Sequence, residues 1–204
     1  MKKITIVGAS GHGKVIADIA RLNGYEDISF VDDNTELKSC GNYKIVGTTG
    51  CINELDSDFI VGIGNPAVRK MFMERLSNSG KEIVTLIHPR SVIGEDVTVG
   101  LGSVIMANAV VNPGTRIGNG VILNTCSSVD HDCEIGDYVH IAVGAHVCGT
   151  VKIGEETWIG AGCIVINNIS ICGHCVIGAG AVVVKNINSI GTYIGVPAKE
   201  NGQA

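Results

Sequence analysis

The stretch VIGEDVTVGLGSVIMANAVVNPGTRIGNGVILN, residues 92–124, decides the fold. Starting at Ile93, every sixth residue is Ile, Leu or Val: Ile93, Val99, Ile105, Val111, Ile117, Leu123, and onward without a break to Val183. The position four residues after each of these is small or β-branched, as in Val97, Ser103, Ala109 and Thr115. A helix repeats every 3.6 residues and an ordinary strand every two, so neither explains a period of six. A β-solenoid does. Each hexad lays down one flat face with one large and one small side chain turned inward, and three hexads close a triangular coil of about 18 residues, stacked on the next at the ~4.8 Å spacing of paired strands. Residues 93–188 supply about five such coils, a prism roughly 25 Å long. Gly and Asn are expected at the corners, where unusual backbone angles are needed. Gly often follows the large apolar residue, as at Gly94, Gly118, Gly136 and Gly154.

Ahead of this repeat, residues 1–85 carry no hexad and read as a separate domain, with residues 86–204 forming the second and the boundary passing near His88-Pro89. The opening KKITIV reads as a buried strand and IADIARLNG as an apolar-periodic helix. ISFVDD and FIVGIGN follow as strands, then a second helix and EIVTLIHP. Asn65 is placed to cap that second helix, Pro66 occupies its first turn, and Val68, Met71, Phe72 and Leu76 are assigned to its apolar face. Strands alternating with helices give a small parallel α/β sheet of Rossmann-like type.

Composition narrows the function classes. The net charge is −5 and no Lys/Arg cluster stands out, which argues against nucleic-acid binding. No apolar run reaches the ~18 residues of a membrane helix. The apolar run in MKKITIVGAS is too short for an export signal, since His12, Lys14 and Asp18 follow at once. A cytoplasmic protein with its eight cysteines reduced is therefore expected.

Between the first strand and helix lies GASGHGKV, residues 8–15. It resembles a triphosphate-binding loop, but Val15 stands where Ser or Thr would hold Mg²⁺. Its glycines are also in the wrong order for a dinucleotide fingerprint, although the acidic pair Asp32-Asp33 lies about where a ribose-binding acid would. Two readings stay open on the residues alone: a tight turn with no ligand, or a helix N-terminus holding a phosphorylated ligand such as a nucleotide-linked sugar.

The repeat and the tail YIGVPAK, residues 193–199, resemble the hexapeptide-repeat acyltransferases. Together with GASGHGKV, the acidic pair at 32–33, GIGN at 62–65 and LIHP at 86–89, they make nearly the whole chain similar to one family. Its members are sugar O- and N-acetyltransferases with a Rossmann-like N-terminal domain and a C-terminal left-handed parallel β-helix. They include nucleotide-4-amino-sugar N-acetyltransferases and sialic acid O-acetyltransferases. The resemblance implies the left hand of the helix, a homotrimer, acetyl-CoA as cosubstrate without a metal, and a sugar nucleotide held by the front domain. Gly11, His12, Gly13, Asp32 and Asp33 are the candidates for that second ligand, with Asn124 as a further contact.

Acetyl transfer from a thioester to an amine or hydroxyl needs a general base and an oxyanion donor. A neutral imidazole suits the first role, and His131 in SSVDHDCEIG has Asp130, Asp132 and Glu134 nearby to fix its tautomer. The resemblance puts the base on His131 and its orienting acid on Asp132; the family acid is often Glu, and Asp130 is the substitute. It associates His140 with acetyl-CoA and gives Gly149 as a backbone N–H facing the thioester oxygen. His146 and His174 read as solvated corners, and Trp158 either packs on an adenine or a neighbouring subunit or caps a face. CGHC at 172–175 looks like a thiol-exchange motif, but it lies in frame with the solenoid and puts Cys175 at an inward small position. Zinc is disfavoured, because no second Cys or His pair has ligand spacing. The expected activity is N-acetylation of a nucleotide-linked 4-amino sugar. The rivals are O-acetylation of a sialic acid or another sugar and a non-catalytic β-helix scaffold.

Overall fold

The computed structural model describes residues 1–202. The chain divides into two compact units, Met1–Pro89 and the remainder from Arg90 on.

The first unit is built on a five-stranded sheet of order β3-β4-β2-β1-β5. Its strands are β1 (Lys3–Val7), β2 (Asp27–Val31), β3 (Ser39–Cys40), β4 (Tyr43–Gly47) and β5 (Asp58–Val61). Strands β1, β2, β4 and β5 are parallel, with Ile6 beside Phe30 and Ile60, and β3 runs antiparallel to β4. Ile4, Ile6, Val7, Phe30, Val31, Phe59 and Ile60 are buried and form the core. Helix α1 (Gly11–Leu22) starts at the glycine-rich turn, where the Ser10 hydroxyl accepts the Gly13 N–H at 3.4 Å. Helix α2 (Pro66–Asn78) starts at Asn65, whose side chain accepts the Val68 N–H at 3.1 Å.

Two sequence expectations for this unit are corrected. The inward face of α2 is Arg69, Phe72, Met73 and Leu76, whereas Val68 and Met71 point outward, 36% and 52% exposed. The reason is Arg69. Hydropathy places an arginine outside, yet this one is fully buried, donating from Nη1 to the Ile63 and Gly64 carbonyls at 3.0 and 2.7 Å. A charged group whose donors are satisfied can be buried, and this one rotates the helix by about one position. Second, EIVTLIHP does not add a full strand beside β5; Ile83 makes one isolated bridge to Phe59. The sheet instead gains the edge hairpin β3–β4, whose first strand has only two residues, too few for a sequence pattern.

The second unit is a left-handed parallel β-helix. Two-residue strands recur every hexad and fall into three parallel sheets. Partners are 18 residues apart: Val110 lies between Val92 and Ser128, Arg116 between Thr98 and Glu134, and Ile122 between Val104 and His140. The second residue of each pair points inward, and Ile105, Val111, Val129, Ile141, Ile159 and Val165 are fully buried. The small residues four places later fill the same interior, including Ser103, Ala109, Thr115, Ser127 and Cys133. The first coil is open at its end, leaving Ile93 36% exposed. The 18-residue stride holds to Val183. Ile187 then bridges Ile171, only 16 residues back, and the strand Thr192–Ile194 closes the stack against Val176–Ile177.

The corners separate two glycine roles that the sequence reading merged. The left-handed backbone falls three residues after each inward side chain, and Asp96, Asn108, Cys126, Asp132, Tyr138, Thr150, Glu156, Asn168 and His174 all adopt it there. The glycine directly after the inward residue has no such angle. It is needed for space: a Cβ on Gly94 would lie 2.7 Å from the Pro113 nitrogen on the next coil.

Candidate active site

The corner formed by residues 130–132 carries the chemistry. His131 Nδ1 lies 2.8 Å from Asp132 Oδ2. Asp132 reaches the ring because it occupies the left-handed corner position (φ 56°), which a short polar side chain tolerates. Asp130 makes a different contact: its Oδ1 accepts the His131 backbone N–H at 2.9 Å and the Asn112 side-chain amide at 2.7 Å. Of the two acids, Asp132 holds the ring and Asp130 the backbone. With its Nδ1 proton shared with a carboxylate, the imidazole carries its lone pair on Nε2. The hydrogen bond that the ring donates to Asp132, followed by the nearby charges of Asp130 and Asp132, raises the His131 pKa above the ordinary histidine value. The Asp130 carboxyl is held below its usual range, first by the Asn112 hydrogen bond and then by the His131 N–H. The His131 side chain is 56% exposed, so Nε2 is accessible from solvent.

Gly149 lies one coil on from His131. A Cβ at Gly149 would sit 2.6 Å from His131 Nε2 and 2.8 Å from Cε1, so the missing side chain is the space the imidazole uses. On either side of Gly149, the Cys148 and Thr150 N–H groups donate to Val165 and His131 carbonyls, whereas among the described residues no backbone carbonyl takes the Gly149 N–H.

A second cluster joins two more candidates. Asn124 Nδ2 lies 3.2 Å from His140 Nε2, and Asn124 Oδ1 accepts the Thr125 N–H at 2.8 Å. The second bond fixes which way the amide faces, so His140 Nε2 accepts and its ring proton sits on Nδ1. His140 is not a surface residue; it is 5% exposed, with its ring 4.3 Å from that of Trp158 on the next coil. His146, expected at a corner, instead sits on a strand face, with Nδ1 2.8 Å from the Ser128 hydroxyl. His174 does occupy a corner, 3.8 Å from Glu156. Cys172 and Cys175 are free thiols with sulfurs 3.4 Å apart, and burial pushes the Cys175 pKa up to about 11.

In the first unit the candidates surround the glycine-rich turn. Gly13 is required by packing: a Cβ there would collide with the Gly8 carbonyl oxygen and come within 2.9 Å of the Phe30 ring. Gly11 has no such neighbour. His12 is half-buried, and burial with the adjacent Arg69 guanidinium lowers its pKa to about 4, so its ring is neutral at neutral pH. Asp32 ties the turn to the end of β2, its two oxygens accepting the Ala9 and Asn34 N–H groups at 2.7 and 2.9 Å. The Asp33 carboxylate instead turns to Thr49, accepting its N–H at 2.9 Å and its hydroxyl at 2.8 Å.

The sequence reading missed two residues here, Arg69 and Asn112. Arg69 gave no signal, because a buried arginine looks like a surface one. Asn112 did give one. The residue after each inward side chain is otherwise Gly, Met, Ala, Cys, Ile or Val, and its polar exceptions are Asn112, Asn124 and Asp130. All three belong to the clusters just described.

Known proteins fit this architecture. Residues 3–76 match the PglD N-terminal domain. The UDP-N-acetylbacillosamine N-acetyltransferase of Bacillus subtilis (strain 168) is 35% identical over 113 residues, which cover 52% of this chain and 52% of that protein. The match thus spans about half the length of that curated relative. The acetyltransferase domain of PglB from Neisseria gonorrhoeae FA1090, solved in complex with acetyl coenzyme A, superimposes with a TM-score of 0.94 at 40% identity, covering 98% of this chain and 99% of that one. PerB from Caulobacter crescentus, solved with CoA and GDP-perosamine, gives a TM-score of 0.95 at 31% identity over 99% of this chain and 98% of that one. Matched by these relatives over essentially its full length, this protein belongs to the family of sugar acetyltransferases that join a PglD-type N-terminal domain to a left-handed β-helix.

Proposed function

We propose that this protein transfers the acetyl group of acetyl-CoA to the amine of a nucleotide-linked 4-amino sugar, with His131 as general base. The observation that carries this reading is the His131–Asp132 pair, which leaves the basic Nε2 at an open corner directly above a residue with no side chain. The amine nitrogen attacks the thioester carbonyl carbon, forming the C–N bond and pushing charge onto the carbonyl oxygen. The Gly149 N–H donates to that oxygen. His131 Nε2 takes the proton released by the amine, the C–S bond breaks, and His131 returns the proton to the departing CoA sulfur. Asp132 keeps the ring oriented and stabilises its charged form. His140 lines the coenzyme side, and Asn124, whose amide lies 3.2 Å from its ring, is a contact for the acceptor or the coenzyme. Gly11, His12, Gly13, Asp32 and Asp33 form the sugar-nucleotide site of the front unit; their glycine-rich turn at the start of α1 supports this, since such N-termini attract phosphate. The bound acetyl-CoA and GDP-perosamine of the solved relatives supply the ligand classes.

The test is thiol release from acetyl-CoA with UDP-, GDP- and TDP-linked 4-amino sugars, free sialic acid and CMP-sialic acid. Turnover on one amino sugar fixes N-acetylation and names the nucleotide, whereas turnover on sialic acids alone overturns the N-acetyl reading. His131→Ala must abolish turnover in a folded protein. The working unit is a homotrimer, a reading supported by exposed apolar residues on the β-helix exterior, among them Ile164 and Val176. Sedimentation equilibrium should give three times the 21.2 kDa chain mass, and a monodisperse monomer refutes it. Among the described residues no helix is long and apolar enough to cross a membrane. A cytoplasmic site of action is part of the same proposal.

A further inference from the structure

We propose that Asn112 and Asp130 are positioning residues that clamp the backbone of His131 from the preceding coil. This rests on His131 being the base. The N–H groups of Asp130 and Asp132 on either side donate to backbone carbonyls of neighbouring coils, whereas the His131 N–H between them is held by a side chain. At this corner Asp130 fixes it, accepting the His131 N–H at 2.9 Å, while Asn112, 18 residues earlier, donates to the same oxygen at 2.7 Å. Both supports are anchored: the Asp130 and Asn112 N–H groups donate to Val147 and Val129 carbonyls at 2.9 Å. From the following coil, Thr150 donates its N–H to the His131 carbonyl at 2.9 Å. The His131 peptide is thus held at both its N–H and its C=O, and Asp132 needs only to set the ring about two side-chain bonds. Without the clamp the ring's base would swing, and a misplacement of about 1 Å at a reacting atom can cost ~100-fold in rate.

Side chains take up the same peptide N–H at other corners, Leu101 by Asn119 and Asn119 by Asp137 from the following coil and Thr125 by Asn124 beside it; among the described residues, the carboxylate on the preceding residue that an amide from the coil before also bonds is found at this corner. At the equivalent position most coils have glycine or an apolar residue, neither of which can accept a peptide N–H. The Asn112 amide holds the Asp130 carboxyl further below its usual range, and the ionised carboxylate adds a second negative charge beside His131. The imidazole itself faces Asp132 on its own corner and Gly149 on the coil after, while the His131 backbone is met by Asp130, which Asn112 of the coil before bonds, by the Thr150 N–H and by the buried Cys133 thiol, whose sulfur lies 3.6 Å from the His131 carbonyl. Asp130 and Asp132 are the charged ones.

Three variants of the full chain separate positioning from mere folding. Asp130→Ala should lower kcat about 30-fold with both KM values within ~2-fold, because ground-state binding does not use the clamp. It should also move the acid limb of kcat/KM to lower pH, since a charge that favours the imidazolium is gone. Asp130→Asn keeps an oxygen that accepts both donors, so it should recover most of kcat while retaining the shifted limb. Asn112→Ala should reduce kcat about 5-fold and leave the limb in place, because Asp130 stays ionised. An NMR titration of the His131 imidazole reads the same pKa changes without any acceptor sugar. The clamp is overturned if Asp130→Ala keeps kcat within 2-fold, if neither the limb nor the imidazole pKa moves, or if Asp130→Asn fails to recover kcat. His131→Ala run in parallel separates the two ideas. If it is inactive while Asp130→Ala is normal, the clamp alone is overturned; if it stays active, both fall.

Discussion

Replacing Gly149 by alanine tests the seat of His131 with a single methyl group. The added Cβ would sit 2.6 Å from Nε2, 2.8 Å from Cε1 and 3.2 Å from Cδ2 of the imidazole. Ordinary contact needs about 3.5 Å, so the ring must retreat by roughly 0.9 Å. The corner backbone gives little way, because the Thr150 N–H and the Gly149 carbonyl are tied to neighbouring coils at 2.9 and 3.0 Å. The exposed imidazole therefore moves, pivoting away from its 2.8 Å contact with Asp132. A shift of about 1 Å at a proton-transferring atom lowers kcat by about 100-fold. Alanine keeps the backbone N–H, so this loss cannot be assigned to a missing oxyanion donor. Stability should change little, because Gly149 lacks the left-handed angle and the new methyl meets only a mobile side chain. The assay is steady-state thiol release with the acceptor found in the substrate panel, beside a thermal melt. A variant within 3-fold of the parent kcat refutes the seat. So would a large fall in Tm matching the loss of activity.

Further outcomes follow from the first unit. Gly13→Ala should destabilise the protein by about 1–3 kcal/mol, as overpacking does, because its Cβ meets the Gly8 carbonyl and the Phe30 ring; denaturant melts measure this. Gly11→Ala adds a methyl with no neighbour and should fold normally, so any rise in KM for the sugar nucleotide, with KM for acetyl-CoA unchanged, reports on binding at the turn. His12 has a folded pKa of about 4 against 6.5 when unfolded, so the unfolded chain binds more protons between those values. Stability should therefore fall as pH drops from about 6.5 to 4, by at most ~3 kcal/mol from this residue, and His12→Gln should flatten that part of the pH–Tm curve.

The β-helix is legible in the sequence because its physics is periodic. One inward side chain per hexad must be large and one small, every coil repeats the demand, and the positions from Ile93 to Val183 carry that signature in order. His131 as a candidate base is legible for a local reason: chemistry singles out an imidazole flanked in the chain by carboxylates, Asp130 and Asp132. The α/β unit is legible in outline only. Its first strand, α1 and the Asn65-Pro66 start of α2 are local signals, whereas the β3–β4 hairpin is stabilised by its place at a sheet edge.

What the tertiary structure alone decided is every contact that spans a coil or crosses the sheet. Sequence could not choose between Asp130 and Asp132 as partner of the ring, since both are one residue from His131. The left-handed corner turns Asp132 toward the imidazole, while Asp130 faces Asn112, 18 residues away. Gly149 is likewise 18 residues from the histidine it accommodates, and its role as a seat follows from coil stacking. Arg69 is a more local case: its charge argues for the surface, and the fold of the turn after β5 brings it the carbonyls of Ile63 and Gly64, six and five residues earlier, which help make its burial favourable. Local chain chemistry sets which residues can form a coil or a base; long-range stacking sets which of them meet.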